Sequence, residues 1–264
     1  MKSFRTLVWL EHRRNWVWAV ALTGSLGFWA WGIKQVLVMS VEERLGIRSG
    51  LLGIAAVLGA LVLCLMIGRI RSETRRGQYQ VLLLTPPSGY LHVAARYVYA
   101  AAVGFVYYIA IGLLWWWIAA LAGVHFDGQT LLELILAVPF YAMSVTVLPA
   151  LAWTLLLQVF ISSYRVSGPG WIPGTVMLLG TPFALRWLWD GIISISYSLP
   201  GWRVFVNAPR SLVERFGEIE DVGVATFMND TIYQGLPIEP MLIMLAVTGV
   251  LLVVAGRIWQ EVEA

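Results

Sequence analysis

Hydrophobic and polar positions alternate along this chain in blocks. Six apolar runs, at 16–39, 50–70, 93–121, 131–160, 171–190 and 238–258, are separated by polar stretches. A helix needs about 20 mostly apolar residues to cross a bilayer, and all six runs reach that length. The third and fourth exceed it, which predicts tilt or extension past the hydrocarbon core. Pro139 and Pro149 each remove a backbone donor within the fourth run, so a kink or break is expected there. Pro173 and Pro182 do the same to the fifth. The pattern predicts an all-α integral membrane protein of six transmembrane helices, with 1–264 as a single transmembrane domain.

The stretches outside these runs are patterned too. In 2–15, Phe4, Leu7 and Val8 fall at helical spacing, with Lys2, Arg5, Arg13 and Arg14 as a basic complement. That predicts an amphipathic interfacial helix over 1–15, lying in the headgroup region. The alternative is a positively charged flank to the first span. The 191–237 segment, about 47 residues long, mixes apolar pieces with the charged SLVERFGEIED. Leu212, Val213 and Phe216 share a helical face there, so short helices at or dipping into the outer surface are expected.

Composition agrees with this layout. The chain is 59% hydrophobic and only 12% charged, with a mean hydropathy of +0.76, whereas a soluble domain carries about 25% charged residues. A formal charge of +3 does not imply nucleic acid. The single cysteine, Cys64, excludes an internal disulfide and a Cys-cluster metal site. The polar, amphipathic start does not resemble a cleavable signal peptide.

Placing the amino terminus in the cytoplasm puts eleven Lys and Arg on the inner side and seven on the outer. Three of those seven lie in the long 191–237 segment, where the positive-inside rule is weak. Both termini are therefore expected in the cytoplasm. Trp16, Trp18, Trp153, Trp171 and Trp259 then fall near inner helix ends, and Trp115, Trp116, Trp117, Trp187 and Trp189 near outer ones, as interfacial belts. Gly24 with Gly27, Ala55 with Gly59, Ala56 with Ala60, and Ala100 with Gly104 allow close helix approach, within one chain or between two.

Enzyme signatures do not occur. HExxH, GxSxG and GxxxxGK[ST] are missing from the sequence, and His12, His92 and His125 lie far apart. The chain is expected to be no enzyme and to bind no cofactor or metal itself. Lys34, Glu133, Arg186 and Asp190 stand out as ionisable residues within the spans, all close to outer ends, where snorkelling explains them.

The remaining candidate is the basic bridge 69–96, RIRSETRRGQYQVLLLTPPSGYLHVAAR. Within its 71–92 portion, Tyr79, Val81, Leu82, Leu83 and Leu84 precede Pro86-Pro87, which ends any helix, and Ser88 is a suitable cap for the next. An amphipathic element held between two spans suits docking into a groove of another protein, or lying on the membrane surface without a partner.

Glu73, Gly77 four residues later, the Leu82–Leu84 run, Thr85 and Pro86 together resemble the segment after the second span of type-2 ABC exporter permeases. The doubled proline followed by Gly89 is unusual for that pattern, and Arg96 stands where a lysine is frequent. The resemblance implies a cytoplasmic coupling helix shaped by Glu73 and Gly77 and packed by Tyr79, Leu82, Leu83, Leu84 and Pro86. It implies short extracellular or re-entrant helices between spans five and six, with Trp202, Phe205 and Phe216 as candidate gate residues. It also implies separate ATPase subunits carrying ATP and Mg, a second permease chain (identical or homologous), and the plasma membrane of a bacterium or archaeon. The competing reading is a non-transporting membrane scaffold that binds a cytoplasmic partner through 69–96.

Overall fold

The computed structural model describes residues 4–35, 41–67, 89–121, 138–163, 191, 203–204 and 236–263. The helices are α1 (Phe4–Gln35), α2 (Val41–Ile67), α3 (Gly89–Leu121), α4 (Val138–Ala142), α5 (Leu148–Ser163) and α6 (Ile238–Glu263). A π-helical turn, Met143–Val147, joins α4 to α5 without a break. Two short strands, β1 (Arg203–Val204) and β2 (Leu236–Pro237), pair antiparallel.

Among the described residues three stretches are long and apolar enough to cross a membrane: Gly89–Leu114, Phe140–Phe160 and Ile238–Gln260. The uniformly apolar part of α2, Gly53–Ile67, is shorter. Large apolar side chains point away from the protein on several helices, with Phe28 65%, Val57 62%, Val106 66% and Val250 63% exposed. Apolar surface of this extent is not stable against water, but it is against lipid. The protein is membrane-embedded.

Helix α3 packs against every other long helix. Its core neighbours include Leu22, Leu63, Ile67, Met143, Leu151, Leu155, Val159 and Ala255, all buried around Val93, Tyr99, Ala100, Tyr107 and Tyr108. Lipid offers no hydrophobic gain for helix association, so close packing and polar contacts must hold these helices together. Both are present on α2. The Tyr107 hydroxyl donates to the Ala55 carbonyl and the Tyr108 hydroxyl to the Ala56 carbonyl, each at 3.0 Å. The Tyr107 ring covers Gly59 so closely that a Cβ there would overlap it. The small residues Ala55, Ala56 and Gly59 are thus the α2 side of a contact within one chain. Gly24 and Gly27 differ, for a Cβ at either would meet nothing within 4 Å.

The expected disturbance in the fourth run is the π-helical turn. Pro149 lacks the N–H that would bond the carbonyl four residues back, and its ring crowds that carbonyl. The turn before it widens instead, and the Leu148 N–H donates to the Met143 carbonyl five residues back. Inside this turn Ser144 is fully buried, and its hydroxyl has no hydrogen-bond partner among the described residues. Ser144→Ala is therefore expected to raise the thermal midpoint in detergent by about 2–4 °C, since an unpartnered buried hydroxyl costs about 1 kcal/mol or more. A lowered midpoint would mean that the hydroxyl is satisfied after all.

Two sequence expectations change. The interfacial helix over 1–15 is not a separate element, because α1 runs from Phe4 through Trp16 to Gln35 without a break. No proline interrupts it, and Asn15, a residue type that often caps a new helix, turns inward and donates to the Glu11 carbonyl and to Glu11 Oε2, each at 3.2 Å. The second helix starts at Val41, well before residue 50. The part of 191–237 that is described beyond Gly191 is the strand pair, which brings residue 204 beside 236. The fifth run, 171–190, lies outside the described residues.

Candidate functional site at the shared end of the bundle

Helix directions follow from the contacts. Glu11 meets Arg96, His12 meets Tyr99, and Ser25 lies by Tyr107, so α1 and α3 are parallel. Ala55 meets Tyr107 while Leu63 meets Gly104, so α2 is antiparallel to both. Gly256 of α6 lies against Tyr90 at the start of α3, whereas Met244 packs on Val145 beside the Met143–Gly104 contact. Helix α6 is therefore antiparallel to α3. One end of the bundle gathers the beginning of α1, the end of α2, the beginning of α3 and the end of α6. Ile67 and Gly89, the described residues on either side of 68–88, both lie at this end.

Near that end α1 and α3 are joined by charge, two turns in from the start of each helix. Glu11, 7% exposed, accepts hydrogen bonds at Oε1 from Arg96 Nε at 3.3 Å and Nη2 at 3.2 Å. Arg14 Nη1 lies 3.6 Å from the same oxygen, and Asn15 Nδ2 occupies Oε2 at 3.2 Å. The arginine fork reaches a single carboxylate oxygen through two N–H groups, which fixes direction as well as distance. Beside it the Tyr99 hydroxyl and His12 Nδ1 are 3.4 Å apart, with the rings edge to face. Both charged side chains of the central pair are about nine-tenths covered, so salt screens them little.

The sequence points to Glu11 through its register. It is the only acidic residue before Glu42, and it shares the buried face of α1 with Leu7, Asn15 and Leu22. A lone acid on an apolar stripe requires a partner. Glu11 precedes the first apolar run, so a search for costly charges within the runs misses it. Arg96 stood out there only as a departure from a lysine.

Every residue assigned to coupling from sequence (Glu73, Gly77, Tyr79, Leu82, Leu83, Leu84 and Pro86) lies outside the described residues, as do Trp202, Phe205 and Phe216. What is described is their frame. Helix α2 ends at Ile67 and α3 starts at Gly89, directly after the expected cap Ser88. Gly89 fits tightly against α6, where a Cβ would stand 2.8 Å from the Gln260 backbone nitrogen and 3.0 Å from the Gly256 carbonyl oxygen.

Among the described residues the arrangement holds helices together. Among the described residues no group of His, Cys, Asp and Glu could hold a metal ion. Cys64 is half-buried and hydrogen-bonded to Thr154. Compared with known proteins, the chain matches no family model, no curated protein and no solved structure.

Proposed function

We propose that this chain is the membrane-spanning subunit of an ATP-driven exporter of the type-2 ABC class, with six spans and both termini in the cytoplasm. Separate ATPase subunits dock on the 71–92 segment, and a second permease chain completes the pathway. One observation carries most of the weight beside the sequence resemblance. Both ends of the bridge open at the end of the bundle where α1 and α3 are tied by Glu11 and Arg96. A push delivered to the bridge moves the start of α3, and the ion pair passes that movement to α1. Packed helices respond by switching between discrete arrangements rather than by bending continuously.

The test is the double variant Gly77→Pro with Leu83→Asp, reconstituted in vesicles with the ATPase that co-purifies with the chain. Proline breaks a helical turn at 77, and aspartate removes an apolar contact at 83. The variant is expected to insert normally while permease-dependent ATP turnover falls between about fivefold and 150-fold, the usual range of a coupling energy. Unchanged turnover in a folded variant would remove the coupling assignment. A chain that captures a partner with no ATPase activity would instead favour the scaffold.

A further inference from the structure

The outward face of α1 at the shared end is basic and aromatic, and it carries no acid. Arg5, Trp9 and Arg13 are spaced four apart, so they stack along one side of the helix, and all three are exposed. The Arg13 guanidinium lies 5.7 Å from the centre of the Trp9 ring. Glu11, the one acidic residue of α1, is turned into the bundle and engaged by Arg96. The positive charge of this face is therefore not neutralised by a neighbouring carboxylate on the helix.

The depth of the face follows from α3. Trp116 and Trp117, 36% and 37% exposed, mark the far end of that helix as a tryptophan belt would. About 20 residues span the hydrocarbon, and counting back that far from the belt reaches Arg96. Glu11 is bonded to Arg96 and so marks the same level on α1. Trp9 and Arg13 then straddle the hydrocarbon boundary, and Arg5 stands one to two turns beyond it, among the headgroups. Past Arg13 the outward face becomes Trp16, Val20, Phe28 and Trp31, each more than half exposed and wholly apolar. The basic site thus continues a lipid-covered stripe, which identifies its occupant as lipid.

We propose that Arg5, Trp9 and Arg13 form a binding site for the headgroup of an anionic phospholipid, with the two guanidiniums on the phosphate and glycerol oxygens and the Trp9 ring at the acyl boundary. Paired arginines favour phosphate geometrically, and an indole is most stable at this depth. A choline headgroup would bring its own cation to the same place. The site depends only on membrane embedding, so its failure and that of the exporter reading are separable.

The experiment compares phosphatidylglycerol with phosphatidylcholine of matched acyl chains, added to the full chain in neutral detergent, and reads bound lipid by native mass spectrometry. The wild-type chain should prefer phosphatidylglycerol. Arg5→Gln or Arg13→Gln should each weaken that preference about fivefold and the pair roughly thirtyfold, while Arg5→Lys with Arg13→Lys should keep most of it. Arg210→Gln with Arg215→Gln, an equal loss of charge elsewhere, should leave it unchanged. An unaltered preference in the Arg5 and Arg13 double variant, or an equal loss in the Arg210 and Arg215 variant, overturns the site. Loss of ATPase co-purification with lipid preference intact would do so too, by assigning the face to a protein partner.

Discussion

Glu11→Ala is expected to lower the thermal midpoint of the detergent-solubilised chain by about 10 °C. Removing one partner of a buried ion pair typically costs about 3–5 kcal/mol, and each kcal/mol moves the midpoint of a chain this size by about 2–4 °C. The loss is large because the carboxylate serves several groups at once. Arg96 gives it two N–H bonds, Asn15 a third, and Arg14 stands 3.6 Å away. Without it, two guanidiniums and an amide face one another in a poorly hydrated corner. Glu11→Gln keeps a carbonyl oxygen for the amide but loses the charge, and should fall between Glu11→Ala and wild type.

The companion variant separates stability from transmission. Glu11→Leu with Arg96→Met replaces the pair by apolar side chains of similar reach, a change often neutral or stabilising when a buried pair is removed whole. Its stability should return to within about 1 kcal/mol of wild type. Apolar contact is non-directional, however, and does not fix the register of α1 on α3 as the guanidinium fork does. Under the proposed exporter function, turnover by the co-purifying ATPase should therefore stay low in the double variant although the fold has recovered. Full recovery of both would leave Glu11 and Arg96 as packing residues only. Arg96→Lys, which supplies a point charge in place of two aligned donors, should restore stability better than turnover.

What the sequence made legible was the part governed by periodicity. The apolar runs at 93–121, 131–160 and 238–258 overlap most of the three stretches long and apolar enough to cross a membrane, and the prolines of the second of these bracket its π-helical turn. Small residues at 55, 56 and 59 foretold a close contact, but only the Tyr107 and Tyr108 hydroxyls decide that it lies within the chain. The continuity of α1 was missed because the change from basic to apolar at residues 14–16 looks like a boundary. Composition changes there while backbone geometry does not, since neither proline nor a free cap interrupts the helix. The Glu11–Arg96 pair was hidden for another reason. Its members are 85 residues apart, and no local pattern reports which helix faces meet.

Gly89→Ala is expected to destabilise the chain although alanine is the better helix former. Propensity alone would favour alanine by up to about 1 kcal/mol, and by less in a first turn. Opposing it, the new methyl would stand 2.8 Å from the Gln260 nitrogen, 3.0 Å from the Gly256 oxygen and 3.0 Å from Trp259 Cδ1. Two of those three atoms are backbone, so no side-chain rotation relieves the overlap, and α6 must move off α3. Overpacking of that kind costs about 1–3 kcal/mol, which exceeds the propensity gain, and Gly89→Val should cost more. Gly24→Ala is the matched control, since a Cβ there meets nothing within 4 Å and only the propensity gain remains. The two substitutions should therefore shift the thermal midpoint in opposite directions, Gly24→Ala upward and Gly89→Ala downward. Because Gly89 is the first residue of α3, the displaced helix start should also loosen Arg96 from Glu11, two turns further along. In a double-mutant cycle, Glu11→Ala should then cost less in the Gly89→Ala background than in wild type. If both glycine variants gain stability, α3 and α6 are not in contact at Gly89, and the shared end loses its carboxyl-terminal helix.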